Sequence, residues 1–180
     1  MDTAGIIPDI IDVKPAAKAT VKYPSGVEVD LGKELTPTQV KDQPTVTWDA
    51  DAGSLYTLLM VDPDAPTRAD PKYREILHWA VINIPGDKVA DGQVLAEYVG
   101  SGAPQGTGLH RYVFLVFKQN EKIVTDKFIS KTTREPRINV KTRDYVAKYN
   151  FGAPVAGNFF EAQYDEYVPQ LHAQFQKDGQ

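Results

Sequence analysis

The residues of this chain that could do chemistry are two aspartates in Asp62-Pro63-Asp64-Ala65-Pro66, two histidines, His78 and His110, and a glycine-rich run from Gly100 to Gly108. The glycines at 100, 102, 106 and 108 leave backbone N–H groups unobstructed, and such groups can form a concave nest for phosphate oxygens. Imidazoles donate hydrogen bonds, more strongly when charged, and a nearby carboxylate favours the charged ring. Asp62 or Asp64 can therefore orient a histidine or meet a ligand ammonium. Singly, each piece has a plainer use. Asp-Pro-Asp-x-Pro forms turns, a histidine in an apolar strand is commonly a hydrogen-bonded core residue, and the glycines match neither a Walker A nor a Rossmann pattern. Convergence is what would make a site.

Three segments must bring these residues together: Leu55–Val61, Ile76–Ile84 and Tyr112–Phe117. All three are apolar at both parities, whereas a strand with one wet face would alternate. They read as central strands buried on both faces, and a more mixed fourth strand follows over 157–164. If 55–61 pairs antiparallel with both others, the aspartates, the histidines and the glycine run share one mouth. Residues 1–44 read as short peripheral strands and loops. Helical spacing is present over 142–149 and in the tail over 165–175, where Asp165 is the expected N-cap and Val168, Leu171, His172 and Phe175 form a stripe. Trp79, Tyr112 and Phe114 read as core. The fold class is mainly β, a β-rich α+β arrangement with peripheral helices.

At 180 residues, with 42% hydrophobic side chains, the chain fits one domain, 1–180, with a real core. Its net charge of −4 argues against a nucleic-acid footprint. Zero cysteines exclude a disulfide scaffold, a cysteine nucleophile and thiolate metal ligation. A mean hydropathy of −0.37 and the lack of any long apolar run argue against stable membrane insertion. The acidic opening Met1-Asp2, broken at Pro8, does not resemble a signal peptide, and no Asn begins a glycosylation sequon; both make cytoplasmic residence the default expectation.

Asp62-Pro63-Asp64-Ala65-Pro66, Tyr73-Arg74-Glu75, His78, Gly100-Ser101-Gly102 and Gly108-Leu109-His110-Arg111-Tyr112 strongly resemble the phosphatidylethanolamine-binding protein family, which includes the Raf kinase inhibitor proteins. Ala153–Gly157 and Tyr167-Val168-Pro169 extend the resemblance over nearly the whole chain. It implies a large central antiparallel sheet with Greek-key connections, a smaller sheet packed on it, peripheral helices, and a C-terminal helix beside a small anion pocket. Carried over by position, Asp62, Asp64, Tyr73, His78, Gly102, His110 and Tyr112 form or border that pocket. The bonds Ala65–Pro66 and Arg74–Glu75 are expected in cis. Three positions depart from the pattern: Ala103 replaces a proline, Ile76 stands where an aromatic is frequent, and His172 replaces the aromatic that closes the pocket, making it a candidate gate.

The resemblance implies a binding or regulatory protein that is monomeric, needs no cofactor or metal, and is not an enzyme. Its ligand would be a phosphoethanolamine-type lipid head group or a phosphorylated residue, and its partner a protein kinase or serine protease. Two alternatives stay open. Two Asp and two His are adequate for a metal-dependent or His/Asp hydrolase, although no metallopeptidase pair and no nucleophile elbow is present. The other is an interaction module with a vestigial pocket. Seven basic and three acidic residues between Asp126 and Lys148 (Lys127, Lys131, Arg134, Arg137, Lys141, Arg143 and Lys148 against Asp126, Glu135 and Asp144) read first as a solvated face.

Overall fold

The computed structural model describes residues 1 and 4–178. Along the chain come a kinked turn α1 (Ile6–Asp9), strands β1 (Ala17–Lys18), β2 (Thr20–Lys22), β3 (Thr45–Thr47), β4 (Leu55–Asp62), β5 (Ile76–Pro85), β6 (Gln93–Ala96) and β7 (His110–Lys118), then α2 (Thr142–Tyr149), β8 (Ala156–Ala162) and α3 (Val168–Asp178). Short 3-10 turns occupy Val89–Asp91 and Glu135–Arg137.

The three segments without alternation are the middle of one six-stranded sheet, ordered β1-β8-β7-β4-β5-β6. As expected, β4 lies between β5 and β7 and is antiparallel to both. The spatial run β7-β4-β5-β6 is a Greek key: three strands follow one another and the fourth returns beside the first. The sheet is mixed, not wholly antiparallel, because the two-residue β1 joins β8 in parallel at the edge.

Each face of this sheet is covered, which is why both parities are apolar. On one side Leu58, Met60, Trp79, Phe114 and Phe160 pack with Val21 and Val46 of the small sheet β2–β3. On the other, Leu59, Val61, Ile82, Val113 and Leu115 pack with Ile6, Ile10 and Ile11 and with α2 through Tyr145 and Val146. The N-terminal residues thus include a core-filling turn that short strands and loops did not anticipate. The cis bonds at Ala65–Pro66 and Arg74–Glu75 are present, together with one at Ile7–Pro8.

The tail helix starts at Val168, two residues later than an N-cap at Asp165 predicts. The Asp165 carboxylate accepts from the Tyr167 N–H at 2.9 Å and also from the Thr38 N–H and hydroxyl, so it holds a turn before the helix and ties the tail to the 36–40 loop. The α2 start is capped from a distance. Lys141 offers no side-chain cap, and buried Glu75 accepts instead from the Thr142 N–H (3.0 Å) and hydroxyl (2.6 Å). Burial pushes the Glu75 carboxyl up to about 7, against the pull of Thr142, Lys141 and Arg143.

This carboxyl binds its proton more tightly folded than unfolded, so its contribution to stability is greatest in acid and is lost as pH rises toward 7. Melting temperature measured from pH 4.5 to 7.5 should fall by an amount equivalent to about 2–3 kcal/mol from this group. Glu75→Gln should flatten that slope, and an unaltered slope would show that Glu75 titrates normally.

Candidate functional site

The C-terminal end of β4 and the starts of β5 and β7 meet at one rim, over a cavity of about 740 Å³. Asp62, Tyr73, His78, Gly102, His110, Tyr112 and His172 all line it; of the expected residues, Asp64 alone does not. Tyr73 stands at the mouth and is partly exposed, whereas Tyr112 is fully buried with its ring between His110 and Phe160. Tyr112 therefore has both roles, core residue and cavity wall.

His110 begins β7, inside the strand and not before it, and it is 1% exposed. Its Nδ1 lies 2.8 Å from Asp62 Oδ2 and its Nε2 lies 3.0 Å from the Thr107 hydroxyl. That hydroxyl gives its own proton to the Pro104 carbonyl at 2.8 Å. A carboxylate can only accept, and a hydroxyl whose proton is already given must accept too. With the hydroxyl proton on the Pro104 carbonyl, both imidazole nitrogens donate, which is the bonding pattern of an imidazolium. Burial opposes that charge, but the hydrogen bond and charge of Asp62, with Asp64 behind it, outweigh burial and raise the pKa. The other Asp62 oxygen accepts from the Asp64 N–H at 2.7 Å. Each Asp62 oxygen thus accepts one hydrogen bond, and one of them orients the histidine.

His78 is placed by a β-bulge. Met60 pairs with Trp79 but the next residue, Val61, pairs with Leu77, leaving His78 as the extra residue. Its Nδ1 donates to the Val99 carbonyl at 2.8 Å, and burial, more than any neighbour, lowers its pKa. It is the neutral histidine of the pair. Its ring meets Tyr112 edge-on at 5.2 Å.

Asp64 faces the opposite side of the rim. It is fully buried and grips Arg111 through Nε at 2.9 Å, the terminal nitrogen at 2.7 Å and the backbone N–H at 2.9 Å. Arg111 also reaches Asp9 and the Ala4 carbonyl, so the pair ties the N-terminal turn to the sheet. Burial would raise the Asp64 pKa, but the Arg111 bonds and charge hold it below the ordinary value. Two Asp and two His thus do not share one mouth. Among the described residues no group of three His, Asp or Glu side chains is arranged to hold a metal ion.

The glycine run has a different use from the one its spacing suggests. A Cβ on Gly100 would lie 2.8 Å from the Val40 carbonyl, and one on Gly102 would lie 2.8 Å from Leu171 of α3. These two glycines admit close neighbours, and α3 is docked on the run by a 2.8 Å bond from His172 Nε2 to the Gly102 carbonyl. The contact places His172, the candidate gate, between helix and loop.

A further wall residue is Arg137, which the basic stretch 126–148 conceals. It is 2% exposed, and its guanidinium donates to the carbonyls of Leu77, His78, Glu97, Ser130 and Thr133. Among the described residues it has no carboxylate within ion-pair distance, and burial lowers its pKa to about 10 against a weak pull from Glu97. The solvated-face reading fails here, because satisfying its donors requires carbonyls from three chain segments. Others of that stretch are surface groups, such as Arg143 paired with Asp12.

The sequence profile of the phosphatidylethanolamine-binding proteins matches residues 23–160. The chain belongs to that family. A Drosophila melanogaster protein provisionally named odorant-binding protein A5 is 41% identical over 92% of the chain and 80% of its own length. A 26 kDa secreted antigen of Toxocara canis is 39% identical over 89% of the chain and 62% of its own length. Among solved structures, the CG7054 solution structure is 54% identical, covering 94% of this chain and 97% of that one, with a TM-score of 0.78. A carboxypeptidase Y inhibitor, solved with its cognate proteinase, is 26% identical over 91% and 93%, with a TM-score of 0.76.

These relatives overturn the cytoplasmic default, since one is named as a secreted antigen and another as odorant-binding. The default rested on the acidic start, its break at Pro8 and the lack of a glycosylation sequon, none of which fixes the compartment of a folded domain. Among the described residues no helix is long and apolar enough to cross a membrane.

The unequal environments of the two histidines can be measured. In a carbon–proton NMR titration, His110 should change its Cε1 shift above pH 6.5 and His78 below it or not at all, while Asp62→Asn should move the His110 midpoint to lower pH. Equal midpoints for the two rings would refute the assigned charge states.

Proposed function

We propose that this family member is a binding protein whose cavity takes an oxyanion, the phosphate of a phosphoethanolamine-type head group or of a phosphorylated residue. The observation that carries this reading is the buried His110 imidazolium on the cavity wall, its charge fixed by Asp62 and Thr107. Arg137 adds a buried cation with only carbonyl partners on the same wall. An anion on His110 gains a charge-assisted hydrogen bond in a site shielded from water, and Arg137, whose donors are given to carbonyls, contributes its charge alone. Asp62 acts as the orienter of His110, and Tyr112 and His78 shape the floor. Binding without catalysis is the favoured function, because the hydroxyl beside the site histidine, Thr107 on His110 Nε2, directs its proton to the Pro104 carbonyl and not to the imidazole.

The likeness to an inhibitor solved with its proteinase supports a second reading, in which the same face regulates a serine protease; this has more support than regulation of a kinase. The names of the relatives support action outside the cell.

Inorganic phosphate, phosphoethanolamine and phosphotyrosine should each raise the melting temperature of the protein. A ligand at a hundredfold excess over Kd adds about 2.7 kcal/mol, or about 5–10 °C for a domain of this size. His110→Ala should abolish most of the shift. Because Asp62 orients His110, Asp62→Asn should weaken phosphate and phosphoethanolamine alike; selective loss of phosphoethanolamine would mean that Asp62 meets the ammonium. No saturable binding of any of the three by calorimetry would remove the anion reading.

A further inference from the structure

An anion arriving at this cavity finds the histidine protons already in use. His78 gives its Nδ1 proton to Val99 and His172 gives its Nε2 proton to Gly102. His110 gives one proton to Asp62 and the other to Thr107. The Asp62 bond joins two buried opposite charges, so it is the harder to break. The Thr107 bond is to a neutral hydroxyl on a half-buried residue, in a tip where Pro104, Gln105, Gly106, Gly108 and Leu109 are exposed.

That tip is lightly held. Thr107 is held to the rest of the loop by two bonds to one carbonyl, Pro104, from its hydroxyl at 2.8 Å and its N–H at 3.2 Å. The residues on either side of it, Gly106 and Gly108, have φ of +84° and +75°, and a Cβ on either would touch nothing within 4 Å. A glycine pair in open space on both sides of a single anchored residue gives the tip a pivot at each end.

We infer that Thr107 is a built-in occupant of the anion subsite, its hydroxyl standing where a ligand oxygen must stand, so that ligand entry exchanges the Thr107 oxygen for the ligand's on His110 Nε2 while the tip turns outward. This rests on the anion reading and deepens it, because the exchange selects the ligand class. An imidazolium bonds an oxyanion more strongly than it bonds a neutral hydroxyl. A phosphate or another oxyanion therefore gains by displacing Thr107. A neutral alcohol exchanges like for like, and an amine meets a cation. Thr107 makes the site selective for oxyanions at the cost of some affinity.

The test compares inorganic phosphate binding to wild type, Thr107→Val and Thr107→Ser by calorimetry. Valine keeps the side-chain shape and removes the competing oxygen, so phosphate should bind about threefold to tenfold more tightly than to wild type. Serine keeps the hydroxyl and should retain the wild-type Kd. Binding detectable in the valine variant alone would also support the occupant role. Unchanged or weaker binding in Thr107→Val would overturn it, as would a serine variant behaving like valine. If none of the three proteins binds phosphate, the anion reading itself falls; if wild type binds and valine makes no difference, only the role of Thr107 does.

Discussion

Charge carried into the rim of an apolar sheet has to be paired or fully hydrogen-bonded there, and this one requirement organises the site. The first two residues of β7, His110 and Arg111, are successive in a strand and so point to opposite faces. The Asp-Pro-Asp turn at the end of β4 supplies one carboxylate to each: Asp62 to His110 on the side of the small sheet, Asp64 to Arg111 on the side of the N-terminal turn. Deleting one member of such a buried pair costs about 3–5 kcal/mol, because the other is left as an uncompensated charge. Two aspartates that look like a single catalytic pair are therefore partners of two different cations, one at the cavity and one behind it.

The same requirement explains why the site is rigid on one side and loose on the other. Arg111, Asp64, Asp9 and Arg74 lock the turn after β4 to the N-terminal residues, and Arg137 staples the beginning of β5 to the 129–133 loop through carbonyls. Both arrangements hold His110 and His78 in fixed positions. Opposite them are the loop tip at Thr107 and the helix α3, attached through the His172 bond to Gly102 and the Leu171 contact. A fixed donor set facing a lightly held loop tip, with α3 docked beside it, is an arrangement suited to admitting a ligand.

Much of this is legible in the sequence. Apolar residues at both parities mark β4, β5 and β7 because both faces are covered, and their antiparallel pairing brings His78, His110 and Asp62 together. Three features were hidden for physical reasons. The assignment of Asp64 depends on the opposite orientations of His110 and Arg111, and the signal was present: an arginine at the entry to a strand buried on both faces needs a carboxylate. Arg137 could not be told from its basic neighbours, since its partners are backbone carbonyls distant in sequence. The bulge at His78 and the close packing behind Gly100 and Gly102 depend on register and on Val40 and Leu171, which local spacing does not encode.

The central claim is that His110 is a charged donor whose outward proton serves an anion. A crystal structure of the protein soaked in phosphate tests it most directly. The account predicts an anion with one oxygen within hydrogen-bond distance of His110 Nε2, the Asp62 bond to Nδ1 retained, and the Thr107 hydroxyl displaced. An anion bound elsewhere in the cavity, with Thr107 still on Nε2, would contradict it.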